Sequence, residues 1–127
     1  MIIKETPMTT VLVIDDSPSE MAKLRDMLAK NSYKVLEAVN GQQGCQMATE
    51  HMPDVILMDV VMPEMNGFQA TRKITHTEAT AHIPIVMIST KSQETDRVWG
   101  KRQGAKEYLV KPIDEMELMR VIRMVME

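Results

Sequence analysis

The sequence predicts an α/β protein in which five short strands alternate with five helices. Three observations predict this class: five short apolar runs recur along the chain, an amphipathic stretch follows each run, and the central runs are apolar almost throughout. Strands that are buried on both faces of a parallel sheet have this continuous apolar character. Alternation with helices predicts an open layered structure with right-handed crossovers. The five runs are Val11–Ile14, Val35–Val39, Val55–Met58, Ile83–Ile88 and Tyr108–Val110.

Residues that favour helix ends separate these runs. Ser17 followed by Pro18 suits the start of the first helix. That helix then places four apolar residues on one face at helical spacing, namely Met21, Leu24, Met27 and Leu28. The other predicted boundaries are Asn40–Gly41 and His51–Pro53 for the second helix, Asn66–Gly67 and the Thr-rich stretch 75–80 for the third, Ser92 and Gly104 for the fourth, and Asp114–Glu115 for the start of the fifth.

Length and composition narrow the class of protein. The chain has 127 residues, of which 44 % are hydrophobic and 26 % charged, as is usual for one globular domain. We expect residues 1–8 to be a disordered lead-in and residues 9–127 to be a single domain with no output domain. The net charge of −3 offers no broad electrostatic case for nucleic-acid binding. No apolar run is near 18 residues, which argues against membrane insertion, and the single cysteine, Cys45, favours a cytoplasmic location.

Polar side chains follow four of the five predicted strands. Because the carboxyl ends of parallel strands meet at one edge of a sheet, where ligands bind, we expect these side chains to lie close together. Two carboxylates about 4.5 Å apart repel by roughly 4 kcal/mol at an effective dielectric near 20. A divalent cation with oxygen ligands removes that repulsion, and Mg²⁺ fits better than zinc or iron because no His or Cys accompanies the acids. The residues concerned are Asp15–Asp16, Asp59, Ser89–Thr90 and Lys111–Pro112.

This set of residues indicates phosphoryl chemistry. Magnesium usually takes only one or two protein carboxylates, which leaves one Asp free to attack phosphorus as a nucleophile. Asp59 is the strongest candidate, since a charge directly after a buried strand is unusual. The cation, the Lys111 ammonium and the Ser89 hydroxyl would stabilise the charge on the transferring group.

Three motifs resemble the receiver domains of two-component response regulators, and together they extend over residues 9–126. The motifs are Val11–Ser17, Met58–Gly67, and Ser89 together with Gly104–Pro112. The resemblance implies a flavodoxin-like three-layer sandwich with a five-stranded parallel sheet in the order 2-1-3-4-5. It also implies a phosphoacceptor signalling protein in place of an enzyme, although such a protein assists its own Mg²⁺-dependent phosphorylation and dephosphorylation.

The resemblance further implies a role for each residue of the predicted site. Asp59 is the phosphoacceptor. The metal is Mg²⁺, with Mn²⁺ as a substitute, and its ligands are Asp16, Asp59, the Val61 backbone carbonyl and, through water, Asp15. The phosphoryl group is bound by the Ser89 and Lys111 side chains and by the backbone N–H groups of Val60 and Thr90. Ser89 and Tyr108 form the switch, and the peptide bond before Pro112 is cis.

Two positions depart from the best-known chemotaxis pattern. Val61 stands where a polar side chain can orient an attacking water, and Lys91 stands where an acidic residue is common. We therefore expect slow loss of the phosphoryl group. Two surface segments, Asn66–Arg72 and Gln93–Gly104, resemble the single-domain regulators of type IV pilus (twitching) chemotaxis-like systems.

The same resemblance implies the partners. A sensor histidine kinase donates the phosphoryl group, and a downstream protein binds the face formed by the fourth helix, fifth strand and fifth helix. The chain is expected to be a monomer or a phosphorylation-dependent dimer. The basic residues around the fourth helix are either a solvated face or a patch for an acidic partner, and these are Lys91, Arg97, Lys101, Arg102 and Lys106.

Three other interpretations agree less well with the sequence. A magnesium phosphatase of the haloacid-dehalogenase type needs Asp-x-Asp after the first strand, where this chain has Asp15-Asp16-Ser17. Flavodoxin needs a Ser/Thr/Gly phosphate loop after that strand and aromatic residues around the flavin, and aromatics make up only 3 % of the chain. A receiver-like scaffold that never accepts phosphate remains the third interpretation, although every expected site position is filled.

Overall fold

Five strands and five helices alternate along the chain in a computed structural model that describes residues 8–127. Residues 1–7 of the predicted lead-in lie outside this described part. None of the described helices is long and apolar enough to span a bilayer. The elements are β1 (Thr10–Ile14), α1 (Pro18–Lys30), β2 (Lys34–Ala38), α2 (Gly41–His51), β3 (Val55–Asp59), α3 (Gly67–Thr75), β4 (Ile85–Ser89), α4 (Glu94–Gln103), β5 (Glu107–Val110) and α5 (Glu115–Val125).

The five strands form one parallel sheet in the order β2-β1-β3-β4-β5. Ile14 at the end of β1 is level with Met58 of β3, and Ser89 at the end of β4 is level with Val110 of β5. Asp59 pairs with Ile88. This register brings the residues that follow β1, β3, β4 and β5 to one edge, as the sequence predicts.

Helices cover both faces of the sheet, because alternate strand residues point to opposite sides. Val11 and Val13 of β1 pack with the buried residues of α1 and α5. Leu12 and Ile14 of the same strand pack on the other side with α2 and α3. The result is the predicted three-layer α/β sandwich, which confirms the fold class.

Strand β2 runs from Lys34 to Ala38, one residue earlier at each end than predicted. Two other predicted boundaries are displaced by a specific hydrogen bond. Helix α4 begins at Glu94 with Gln93 as its cap, one residue after the predicted cap Ser92, because the Gln93 N–H donates to Asp96 Oδ2 at 3.2 Å. Strand β4 begins at Ile85, two residues later than predicted. The Ile83 N–H donates to the carbonyl oxygen of Thr80, at 3.1 Å, so Ile83 belongs to the preceding turn.

The other predicted caps hold the helices that start at the carboxyl edge. Each cap side chain accepts a hydrogen bond from a backbone N–H three residues later, which satisfies a donor that the helix leaves free. These pairs are Ser17 with Glu20 at 3.3 Å, Asn40 with Gln43 at 2.7 Å, Asn66 with Gln69 at 2.9 Å, and Asp114 with Glu117 at 3.0 Å.

Candidate metal centre

Three carboxylates converge at the carboxyl edge of the sheet. Asp15 and Asp16 follow β1 and Asp59 ends β3, and the register of these two adjacent strands places them side by side. Each carboxylate offers one oxygen, and the three oxygens lie within 4.8 Å of one another. Asp15 and Asp59 are buried, whereas Asp16 is exposed to solvent. The predicted cluster of acids is therefore present.

Lys111 supplies the positive charge that faces this cluster. Its Nζ lies 3.2 Å from Asp15 Oδ2 and 3.3 Å from Asp59 Oδ1, and its side chain is only 10 % exposed. The Lys111 backbone N–H donates to the Ser89 carbonyl oxygen at 2.8 Å, which fixes the end of β5 beside β4. The peptide bond between Lys111 and Pro112 is cis. One ammonium thus faces three carboxylates.

The pKa values of Asp59 and Lys111 follow from this excess of negative over positive charge. Burial and, next, the negative charge of Asp15 together raise the pKa of Asp59 to about 6, because Lys111 only partly offsets them. Burial alone would lower the pKa of the Lys111 ammonium, but the charges of Asp59 and Asp15 outweigh burial and raise it. The negative charge of the site therefore exceeds what the protein itself compensates.

The hydrogen bonds divide the carboxylate oxygens into engaged and free ones. Both oxygens of Asp15 are engaged, because Oδ1 accepts from the Ser17 N–H at 2.9 Å and Oδ2 accepts from Lys111. Within residues 8–127, Asp59 Oδ2 and the Asp16 carboxylate accept no hydrogen bond. The oxygens that are free for a cation belong to Asp16 and Asp59. This all-oxygen donor set, with an uncompensated negative charge, fits a hard divalent cation such as Mg²⁺.

The backbone after Asp59 is part of the same edge. Val60 is buried, and its carbonyl oxygen accepts from the Gly67 N–H at 2.8 Å. Val61 is 55 % exposed at the rim of the site. Helix α3 therefore begins in contact with the backbone that directly follows Asp59. The sequence did not predict this contact.

Ser89 and Tyr108 are connected through one short segment. The Ser89 side chain is fully buried, and its Oγ accepts from the Lys91 N–H at 3.1 Å. Tyr108 is 3 % exposed, and its hydroxyl donates to the Lys91 carbonyl oxygen at 2.8 Å. Thr90, which lies between Ser89 and Lys91 in the chain, is exposed. The two predicted switch residues therefore hold the loop after β4 from both sides.

Arg97 of α4 is a further residue at this switch. The sequence marks it only as one of the basic residues around α4. Its guanidinium carbon lies 5.7 Å from the centre of the Tyr108 ring, and its Nη1 donates to the Tyr108 carbonyl oxygen at 3.3 Å. No local motif links positions 97 and 108, because the contact depends on how α4 packs beside β5.

Comparison with known proteins agrees with this geometry. Residues 11–123 match the family described as the response regulator receiver domain. The chain belongs to the response regulator receiver family. Family membership identifies this receiver as a phosphoacceptor signalling domain, not a classical enzyme, and confirms the predicted resemblance. Receivers work with histidine kinases and with downstream proteins.

Particular relatives resemble this receiver along nearly its whole length. It is 53 % identical over 119 residues to Protein PilH of Pseudomonas aeruginosa, a match that covers 94 % of this chain and 98 % of the relative. The chemotaxis protein CheY4 of Vibrio cholerae superposes with a TM-score of 0.88 at 31 % identity, covering 94 % and 99 % of the two chains. The receiver domain of a Pseudomonas aeruginosa sensor histidine kinase, with a magnesium ion coordinated in its active-site cleft, superposes with a TM-score of 0.88 at 28 % identity, covering 94 % and 98 %.

Proposed function

We propose that this receiver accepts a phosphoryl group on Asp59 from a sensor histidine kinase and signals through phosphorylation-dependent binding of a partner. The observation that carries the proposal is the free Oδ2 of Asp59, which belongs to a buried carboxylate whose other oxygen lies 3.3 Å from Lys111 Nζ. A carboxylate that is held by one oxygen and open at the other suits nucleophilic attack on phosphorus. In the transfer, an Asp59 oxygen forms the new O–P bond while the N–P bond of the donor phosphohistidine breaks.

Magnesium is the proposed cofactor, with Mn²⁺ as a substitute. Asp16, Asp59 and the Val61 carbonyl would hold the ion directly, and Asp15 would act through water because both of its oxygens are already hydrogen-bonded. When bound, the ion would supply positive charge to the phosphoryl oxygens in transfer. The relative from a Pseudomonas aeruginosa sensor kinase, whose cleft holds magnesium, supports this assignment.

The remaining site residues would handle the phosphoryl group once it is attached. Lys111 would pair with its oxygens, the Ser89 hydroxyl would donate to it, and the N–H groups of Val60 and Thr90 would donate as well. Phosphorylation adds about −1.5 to −2 units of charge and three strong acceptors. We propose that Ser89 then turns toward the new group and that Tyr108 responds through the Lys91 segment, to which both are hydrogen-bonded.

The output would pass through the surface of residues 9–127. We propose that a downstream protein binds the face formed by α4, β5 and α5, and that the chain acts in the cytoplasm as a monomer or a phosphorylation-dependent dimer. Control of type IV pili or a chemotaxis-like process is the proposed setting, which the 53 % identity to Protein PilH supports.

Phosphorylation by acetyl phosphate tests this function. We expect the wild-type chain to gain one phosphoryl group, seen by intact mass, only when Mg²⁺ is present. Asp59→Asn should gain none, whereas the matched control Asp26→Asn, which changes an exposed Asp of α1, should behave as wild type. A wild-type chain that gains no phosphoryl group would favour the receiver-like scaffold instead.

A further inference from the structure

We propose that two glycines, Gly67 and Gly41, are positioning residues for the metal. They would hold the β3–α3 loop, defined as residues 60–66, so that the Val61 carbonyl oxygen faces the carboxylates of Asp16 and Asp59. This inference rests on the proposed function, since it concerns the same magnesium site.

Gly67 is required by lack of space. A Cβ atom at this position would overlap the carbonyl oxygen of Asp59 and would lie 2.8 Å from the Cα of Val60. Both neighbours are backbone atoms, which cannot turn aside as a flexible side chain can. The backbone of Gly67 is not in the left-handed region, so the requirement is steric and not conformational. Any side chain here must displace the peptide that follows Asp59.

Gly41 confines the same loop near its other end, at Met65. It begins α2, and a Cβ atom there would lie 3.0 Å from both the Cγ and the carbonyl oxygen of Met65. These contacts are tight but less severe than those at Gly67, and part of the overlap is with the flexible Met65 side chain in place of backbone. The loop is thus enclosed between the first residues of two helices.

The loop between these glycines has little freedom to absorb a shift. Glu64 is held in the left-handed region at φ 67°, Met62 is buried, and Asn66 and Gln69 cap α3 reciprocally. Magnesium demands nearly ideal octahedral geometry. A backbone oxygen has no rotamer with which to recover that geometry, so the position of the loop decides whether the Val61 carbonyl can serve as a ligand.

Titration with MgCl₂ tests the inference without any phosphorylation. The amide NMR signals of Asp16, Asp59 and Val61 report binding at the site and give a Kd for each variant. We expect Gly67→Ala to weaken Mg²⁺ binding by roughly 10–100-fold, the range for residues that orient metal ligands. Gly41→Ala should weaken it by a smaller factor. The matched control is Gly100→Ala in α4, where a Cβ would meet Met87 and Tyr108 and not the loop, and its Kd should stay within about twofold of wild type.

The outcomes separate the inference from the proposed function. Alanine favours helices more than glycine does, so weaker binding by a folded Gly67→Ala chain cannot come from a weaker α3. Wild-type Mg²⁺ affinity in folded Gly67→Ala would overturn the positioning role while leaving the magnesium site intact. If Gly67→Ala fails to fold, Gly41→Ala decides: a raised Kd supports the role, and an unchanged Kd overturns it. A wild-type chain that binds no Mg²⁺ would overturn the inference and the proposed function together.

Discussion

Burial and the neighbouring Asp15 hold the pKa of Asp59 at about 6, well above the ordinary value of 3.8 for a carboxyl group. The folded state therefore binds this proton more tightly than the unfolded state does. The stability that the protonated group contributes is fully present below about pH 4 and is lost as the pH rises to about 6. At 1.36 kcal/mol per pKa unit, ionised Asp59 destabilises the metal-free fold by about 3 kcal/mol at neutral pH.

Removal of this charge should stabilise the metal-free protein. We expect Asp59→Asn to raise the free energy of unfolding by about 3 kcal/mol at pH 7. The difference from wild type should disappear near pH 3, below the ordinary pKa of the group, where the wild-type carboxyl is largely protonated in both states. Denaturation with urea, which unlike guanidinium chloride does not screen charges, measures the effect at the two pH values in the presence of EDTA. Equal stability of the two chains at pH 7 would contradict the electrostatic account of the site.

Thr71 is fully buried and carries an unsatisfied hydroxyl. Its Oγ1 is the only buried side-chain polar atom in residues 8–127 that has no hydrogen-bond partner. Thr71→Val keeps the shape and removes the unsatisfied hydroxyl, so we expect a gain of about 1 kcal/mol in the free energy of unfolding. Thr80→Val is the matched control. Its equally buried hydroxyl donates to the Ile74 carbonyl at 2.7 Å, and its loss should destabilise the fold by about 1–2 kcal/mol. The two substitutions should thus have opposite signs in urea denaturation.

We expect Val61 to lengthen the lifetime of the phosphoryl group. Its side chain is 55 % exposed beside Asp59, and an apolar group there cannot orient a water molecule for attack. We expect phosphorylated wild type to persist for much longer than seconds in Mg²⁺, and Val61→Asn to lose its phosphoryl group faster, because an amide can hold the water. Release of inorganic phosphate after removal of acetyl phosphate measures both rates, and a wild-type lifetime of seconds would refute the expectation.

At the scale of elements, α4 packs against Tyr108 of β5 through Arg97 and Gly100. Arg97 in its first half contacts Tyr108 in two ways, with the guanidinium over the ring and a hydrogen bond to the carbonyl oxygen. Gly100, one turn later, leaves the space that the Tyr108 ring occupies, since a Cβ there would lie 3.2 Å from the ring. The inward pose of Tyr108 is therefore supported by one face of α4.

A double-mutant cycle between Arg97→Ala and Tyr108→Leu measures that support. A cation–π contact contributes about 0.5–1 kcal/mol at a partly exposed site, so we expect a coupling free energy of about 1 kcal/mol between the two substitutions. The matched cycle of Lys101→Ala with Tyr108→Leu should give a coupling near zero, because among residues 8–127 only Arg97 lies over the Tyr108 ring, whereas Lys101 is an exposed cation of the same helix. Equal couplings in the two cycles would show that Arg97 has no particular role.

At the scale of the whole molecule, metal binding and folding are linked. A cation that binds only the folded state raises the free energy of unfolding by about 2.7 kcal/mol when its concentration is a hundred times its Kd. Because protons compete for Asp59, we expect this stabilisation by Mg²⁺ to be large at pH 7.5 and to fall as the pH is lowered through about 6. Unfolding curves with and without MgCl₂ at pH 7.5 and 5 test this, with Asp59→Asn as the chain that should respond least.

The sequence predicted those parts of the molecule that depend on strand ends. Four of the apolar runs are each followed by a residue of the site, and the parallel register alone brings these residues to one edge. They are Asp15, Asp59, Ser89 and Lys111. The pairing of Arg97 with Tyr108 was not predictable, since it depends on the angle at which α4 packs. The contact of Gly67 with the Asp59 peptide depends likewise on the path of a loop, which apolar periodicity does not encode.

The wrong predicted starts of α4 and β4 have the same origin. Ser92 is the more usual cap residue, yet Gln93 takes that place because Asp96 lies three residues later to accept its N–H. Ile83 is as apolar as its neighbours in β4, but its N–H is already bonded to Thr80. In both cases a hydrogen bond between specific partners overrode the general preference of the residue type.

Thr75 at the end of α3 has a consequence for how α4 can move. Its hydroxyl lies 2.9 Å from the Gln103 carbonyl oxygen and equally 2.9 Å from the Thr71 carbonyl oxygen of its own helix, so the two acceptors share one donor. Gly104, at φ 116°, packs against the Thr75 side chain. The last turn of α4 therefore contacts α3, whereas its first turn is attached to the predicted switch residue Tyr108, directly through Arg97 and also through the preceding loop. A ten-residue helix is about 15 Å long. We therefore expect α4 to rotate as a rigid body about its contact with Thr75. A small rotation about Thr75 would therefore produce its largest displacement at Glu94, the end of the helix that follows the β4 side of the candidate metal centre.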